Sequence, residues 1–193
     1  MKGYVIVMIA LLVTTGAQAQ QSGMKLGTTP PGFDLPVLRP IGRDSIALSD
    51  LRNRAVVMDF WATWCTPCIK SFPHLNTLIG EYRDKPVTFL AVTYEPEALV
   101  GRFLEHHELK SIIASDSSFQ TFRSYNGWAI PTTILITKDG RYAGRIHPKR
   151  LTGGIIDSLL EGQIPKVEQV PENLYDPAGA EKYFRSLLKK SNG

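Results

Sequence analysis

The sequence predicts an α/β domain with a mixed central β-sheet flanked by helices, and two observations predict it. First, apolar runs rich in β-branched residues at 54–60 and 86–92 enclose a helix-length segment at 67–82. This strand, helix, strand order is typical of two parallel strands joined by a right-handed crossover. Second, strand-like runs at 132–137 and 141–146 are joined by an Asp-Gly turn, which predicts an antiparallel hairpin. Parallel and antiparallel strands with helices between them give a layered α/β architecture.

The remaining elements follow from shorter patterns. Residues 33–37 and 45–48 predict a small hairpin ahead of the crossover, and residues 111–114 predict a further strand. A second helix is expected at 96–107, because Pro-Glu opens it and apolar residues recur at helical spacing. A last core helix is expected at about 152–160, before a glycine and a proline. The predicted apolar face of the second helix comprises Leu99, Val100, Phe103 and Leu104.

The chain divides into four parts. Residues 1–19 read as a signal peptide, with one lysine, an apolar stretch and an Ala-Gln-Ala cleavage pattern before Gln20. The apolar stretch is about half the roughly twenty residues that span a bilayer, so an uncleaved membrane anchor is the alternative. A flexible leader is expected at 20–30, the folded domain at 31–163, and a C-terminal extension containing a helix at 164–193. We therefore expect the protein in the periplasm or otherwise secreted.

Charged residues of both signs are interspersed along the chain. It has 22 Lys and Arg residues against 18 Asp and Glu residues, for a formal net charge of +4. Nucleic-acid binding usually requires basic residues clustered on one face, and the densest basic run, at 147–150, is better explained as a solvated turn. We expect no nucleic-acid partner.

Cys65 and Cys68 are the only two cysteines, and their role could be structural, metal-binding or redox. A disulfide that closes so short a loop contributes only about 2 kcal/mol, which argues against a structural role. Zinc needs further ligands at compatible spacing, and the four histidines are scattered. Covalent haem attachment needs a histidine directly after the second cysteine, where Ile69 stands. Redox exchange remains, with no metal expected.

The position of Cys65 favours that chemistry. A strand ends at Phe60 and a helix is expected to begin near Cys65, with Pro67 in its first turn. Free N–H groups at a helix start lower a cysteine pKa from about 8.5 and stabilise the attacking thiolate. We expect Cys65 to attack and the more buried Cys68 to act as the resolving thiol.

Three segments resemble the thioredoxin superfamily: "DFWA" at 59–62, "WCTPC" at 64–68 and "IPT" at 130–132. Together with the export signal, the early hairpin and the extra helix before "AIPTT", they make the chain similar to the TlpA/ResA-like extracytoplasmic thiol-disulfide oxidoreductases. The likeness covers about residues 31–163. It implies a thioredoxin fold with an N-terminal β-hairpin and an extra helix inserted after the second strand of the crossover.

The resemblance also implies a surface that binds substrate. The Ile130-Pro131 bond is expected to be cis and to lie beside the cysteines, where the Ile130 backbone would pair with the substrate chain. Trp64, Thr66 and Pro67 would complete this surface, and Trp128 would flank it.

The same resemblance matches two acids of this chain, Asp59 and Glu95, to acids near the site. Asp59 interrupts an apolar strand, and it matches the buried acid that takes the proton of the resolving Cys68 through water; a purely structural acid is the alternative. Glu95 roughly matches a second acid near the site, although its alignment needs a gap. Ser71 stands where many TlpA-like members carry Glu, which weakens any transfer of their partner specificity.

The sequence therefore predicts an exported protein-disulfide reductase in which Cys65 forms a mixed disulfide and Cys68 releases the product. No dissociable cofactor is expected, since the Cys65-Cys68 disulfide is itself the redox centre. Electrons would come from a membrane-borne dithiol protein of the DsbD/CcdA type. The protein is expected to act as a monomer on protein clients, with cytochrome c maturation as one setting. The alternatives are a disulfide oxidant or isomerase, and a redox-idle module that binds peptides.

Overall fold

The computed structural model describes residues 24–40, 42, 44–127 and 129–167. The predicted signal peptide, Trp128 and the helix predicted within the C-terminal extension lie outside these residues. Within the described part of the chain, no helix has both the length and the apolar character needed to cross a bilayer.

The described residues form one seven-stranded mixed sheet with five α-helices around it. The strands are β1 Asp34–Arg39, β2 Ser45–Ala47, β3 Ala55–Phe60, β4 Val87–Thr93, β5 Ile112–Ser115, β6 Thr132–Ile136 and β7 Tyr142–Ile146. The helices are α1 Thr66–Ile69, α2 Phe72–Glu81, α3 Glu97–Leu104, α4 Gln120–Ser124 and α5 Gly153–Leu160. Two short 3-10 helices cover Leu48–Leu51 and Pro148–Arg150.

The strand order is β2-β1-β5-β4-β3-β6-β7. Strands β3, β4 and β5 are parallel, and β6 and β7 continue the sheet as the antiparallel hairpin that the sequence predicts. The early hairpin also forms, and β1 pairs antiparallel with β5 to extend the opposite edge. The predicted α/β class and thioredoxin-like fold are confirmed.

Strand β3 lies in the middle of the sheet, and all six of its side chains are buried. Because successive side chains of a strand point to opposite faces, Val56, Met58 and Phe60 pack on one face and Ala55 and Val57 on the other. A third apolar cluster lies beyond the carboxyl end of β3 and contains both cysteines.

The prediction of one continuous helix at 67–82 is wrong, because the structure divides this segment into α1 and α2. Pro73 lies in the first turn of α2. Proline has no N–H to donate to the carbonyl four residues earlier, and its ring crowds that carbonyl, so a continuous helix is broken just before it. The break leaves α1 as a four-residue helix that carries Cys68.

Helix α3 is shorter than predicted, and its apolar face is narrower. Val100 is buried and Phe103 and Leu104 pack against the cysteine-containing cluster, whereas Leu99 is 38% exposed. At 3.6 residues per turn, Leu99 lies about 90° around the helix from the centre of the buried stripe, which places it at the solvent edge.

Helix α4 was not predicted. It has only five residues, too few to show helical periodicity. The Asp116 carboxylate accepts the backbone N–H groups of Thr121 and Phe122 at 3.3 and 2.8 Å, which satisfies donors that the helix start leaves free.

Candidate active site

Cys65 and Cys68 form a disulfide at the point where β3 leads into α1. Cys65 is the N-cap residue of α1 and Cys68 lies within it. Both side chains are buried, at 3% and 0% exposure respectively. The two cysteines therefore form a closed redox pair at the carboxyl edge of the central strand.

The Cys65 sulfur already accepts a backbone hydrogen bond. The Cys68 N–H donates to Cys65 Sγ at 3.3 Å, and Pro67 occupies the first turn, where it removes no needed donor. Because α1 is four residues long, any stabilisation of a Cys65 thiolate comes from such local N–H groups, and the influence of a helix end is in any case confined to its first turn.

Asp59 lies one residue before the end of β3 and is buried, at 4% exposure. Its register partner on β4 is Ala91, whose side chain belongs to the same cluster as both cysteines. Burial raises the Asp59 pKa from 3.8 to about 7, and a 2.8 Å hydrogen bond donated by the Thr133 hydroxyl acts in the opposite direction. This carboxyl group can therefore gain or lose a proton near neutral pH.

Glu95 follows β4 and is also buried, at 5% exposure. Its carboxylate accepts the Thr63 backbone N–H at 2.6 Å and the Thr63 hydroxyl at 2.8 Å. Glu95 thus holds the loop that leads into Trp64 and Cys65, an arrangement suited to positioning that loop. The match of Glu95 to a second catalytic acid near the site, which the resemblance implied, stays a prediction.

Trp64 is the most prominent exposed side chain of the site, at 63% exposure. Its indole Nε1 donates to the Tyr94 hydroxyl at 2.7 Å, and the Tyr94 ring stacks on Phe119 with ring centroids 4.5 Å apart. Trp64, Tyr94, Phe119 and Ile130 line a cavity of about 460 Å³. The sequence analysis missed Tyr94 and Phe119, although the position of Tyr94 just past a parallel strand was a usable signal.

The predicted cis bond between Ile130 and Pro131 is present. Ile130 packs against the cluster that contains both cysteines. Thr66 and Pro67, between the cysteines, are exposed. A second cis bond, Arg39-Pro40, was not predicted.

Comparison with known proteins agrees with this geometry. Residues 26–143 match the AhpC/TSA family. A thiol-disulfide oxidoreductase ResA from Bacillus cereus is 31% identical over 153 residues, covering 79% of this chain and 84% of the relative. A ResA from Halalkalibacterium halodurans is 35% identical over 126 residues, covering 65% of this chain and 69% of that protein.

A solved structure of a thiol:disulfide interchange protein is also similar to this chain. The crystal structure of a Chlorobium tepidum protein, described as a thiol:disulfide interchange protein of the DsbE type, superimposes with a TM-score of 0.65 at 28% identity. The match covers 72% of this chain and 99% of that one. With a family model matched over more than half of its length and curated relatives above 30% identity, the chain belongs to the thioredoxin-like AhpC/TSA family, among its ResA-like thiol-disulfide oxidoreductases.

Proposed function

We propose that this protein reduces disulfides of exported proteins by using Cys65 as nucleophile and Cys68 as resolving thiol. The observation that carries the proposal is the buried Cys65-Cys68 pair, with the Cys68 N–H already donating to Cys65 Sγ. That hydrogen bond becomes charge-assisted when Cys65 is a thiolate, and so favours the attacking species.

The reaction is two successive exchanges. The Cys65 thiolate attacks a client disulfide, so that a Cys65-client bond forms, the client bond breaks and one client thiolate leaves. Cys68 then loses its proton and attacks Cys65 Sγ, which reforms the Cys65-Cys68 disulfide and releases the second client thiolate. Two electrons pass from the protein dithiol to the client, and the observed disulfide is the product state.

Asp59 is the acceptor for the Cys68 proton in this scheme. Its pKa of about 7 supports the role, since a general base works best when its pKa lies near the operating pH. The strand register, which directs Asp59 to the face that carries the cysteines, supports it as well.

Clients would bind across the surface formed by Trp64, Thr66, Pro67, Ile130 and Pro131. The cavity beside Trp64 is lined mostly by aromatic and aliphatic side chains, with Thr93 and Asp116 among them, which suits an apolar client residue next to the reacting cysteine. The Tyr94 hydroxyl holds the Trp64 indole, so that this wall of the cavity is preorganised.

Export and partners extend the proposal. The apolar N-terminal stretch with its cleavage pattern supports a periplasmic or otherwise secreted protein. There the dithiol would be regenerated by a membrane-borne donor of the DsbD/CcdA type, with no dissociable cofactor. The protein would act as a monomer, with apocytochrome c as one candidate client.

One titration decides the direction of electron flow. The mature protein is equilibrated with glutathione or dithiothreitol buffers and its midpoint potential is measured. A reductant should lie well below the value of about −180 mV that is typical of protein disulfide isomerase. A midpoint at or above that value would replace the reductase with the oxidant or isomerase alternative.

Three further experiments test the enzyme itself. Cys68→Ala should trap clients on Cys65 as mixed disulfides, which identifies them directly. If Cys65→Ser preserved function in the cell, the redox-idle binding module would be the better explanation. A peroxidase is disfavoured because the cysteines lie in a Trp-Cys-x-x-Cys motif, so hydrogen peroxide added to the reduced protein should give no fast turnover.

A further inference from the structure

We propose that Thr133 is a positioning residue for the redox reaction, because its hydroxyl favours the ionised form of Asp59, which accepts the Cys68 proton. The inference rests on the proposed function, in which Asp59 is that acceptor. Neither the sequence motifs nor the family resemblance assigns a role to Thr133.

The geometry of the pair is specific. Asp59 on β3 and Thr133 on β6 are directly opposed register partners in an antiparallel ladder. Thr133 is fully buried, and its Oγ1 donates to Asp59 Oδ1 at 2.8 Å. A β-branched side chain has few χ1 choices, so the hydroxyl is held in place by packing before any proton moves.

Among the described residues, no charged side chain contributes to the shift of the Asp59 pKa. Burial and the Thr133 hydroxyl are the two influences on the Asp59 pKa. The β4 partner of Asp59 is Ala91, and α1 places the cysteines on this face. The titratable groups of α1, α2, α3 and α5 or at their ends are exposed or engaged. Lys70, Glu81, Glu97, Arg102 and Asp157 are exposed, and His74 Nε2 binds the Leu151 carbonyl.

The chemical consequence concerns the resolving step. Cys68 gives its proton to the Asp59 carboxylate, its thiolate attacks Cys65 Sγ, the Cys65-client bond breaks and the client leaves as a thiolate. Only the ionised form of Asp59 can take that proton. Because a hydrogen bond to the charged form favours it, loss of the Thr133 hydroxyl would leave burial unopposed and Asp59 mostly protonated at neutral pH.

The test is Thr133→Val, which exchanges a hydroxyl for a methyl group of similar size. Reduced protein is mixed with an aromatic disulfide whose released thiolate is coloured. The first equivalent reports attack by Cys65 and the second reports resolution by Cys68. The pH at which resolution reaches half its maximal rate should rise by about one unit, and the rate at pH 7 should fall about fivefold. The attack phase and the rate at high pH should be unchanged.

Two variants serve as controls. Thr133→Ser keeps a hydroxyl and should restore the wild-type pH profile. Thr137→Val removes a different buried threonine hydroxyl, which binds Asp139 beyond the far end of β6, and should leave the profile unchanged. An NMR titration of the Asp59 carboxyl carbon in the oxidised protein gives the same shift independently, and Thr133→Ala replaces the valine variant if that variant fails to fold.

The outcomes separate this inference from the proposed function. If Asp59→Asn slows resolution and removes the ionisation near pH 7 from its pH profile while Thr133→Val matches wild type, the role of Thr133 is refuted and the function stands. If Asp59→Asn itself leaves resolution unchanged, the acceptor role of Asp59 is refuted and the inference falls with it.

Discussion

Replacing Asp59 with asparagine should change how the stability of the oxidised protein depends on pH. Burial raises the Asp59 pKa from 3.8 to about 7 in the folded protein, whereas the unfolded chain has the ordinary value. Between those two pH values the folded state binds more protons than the unfolded state. The contribution of Asp59 to stability is therefore fully present below about pH 4 and is lost as pH rises through about 7.

The magnitude follows from the shift itself. A difference of about three pKa units corresponds to about 4 kcal/mol of unfolding free energy lost by the wild type between pH 4 and pH 8. An asparagine side chain cannot ionise, so Asp59→Asn should not show this loss. Burying the asparagine amide changes the unfolding free energy by the same amount at every pH. It therefore shifts the whole curve of unfolding free energy against pH and does not alter its slope.

The assay is urea unfolding of both proteins at several pH values with the disulfide kept intact. The unfolding free energy of Asp59→Asn minus that of the wild type should increase by about 4 kcal/mol from pH 4 to pH 8. Asp84→Asn, at an exposed position, should run parallel to wild type throughout. Parallel curves for Asp59→Asn and wild type would refute the claim that Asp59 carries a raised pKa.

Three further predictions concern the loop and cavity beside Cys65. Glu95→Ala removes the acceptor for both Thr63 hydrogen bonds, so it should lower the unfolding free energy by about 2 kcal/mol and slow attack by Cys65. Urea unfolding measures the first effect and stopped-flow kinetics the second. Glu95→Gln should be closer to wild type in both. Tyr94→Phe frees the Trp64 indole and should raise KM roughly fivefold for peptide disulfides with phenylalanine beside the cysteine, with kcat unchanged. Trp64→Ala should raise that KM about tenfold but leave KM for serine-flanked peptides nearly the same, and an equal loss for both peptides would exclude a role for the cavity.

Much of the fold could be predicted because it rests on local patterns. The runs at 54–60 and 86–92 are apolar and β-branched, and the Asp-Gly turn near residue 140 marks a hairpin, so strands and their pairing follow from short windows. The division of the first helix is marked in the sequence by Pro73, since proline breaks a continuous helix. Helix α4 was not visible, since five residues are too few to show a period.

The active site, too, could be predicted only in part from the sequence. The sequence alone determined the cysteine pair, its position between a strand and a helix, and the burial of Asp59, because each depends on neighbours within a few residues. Tertiary structure alone decided which side chains face that site. Thr133 meets Asp59 across 74 residues, and Thr63 meets Glu95 across 32. Such contacts are set by the register between strands and by the loops that follow them, and local periodicity does not encode that register.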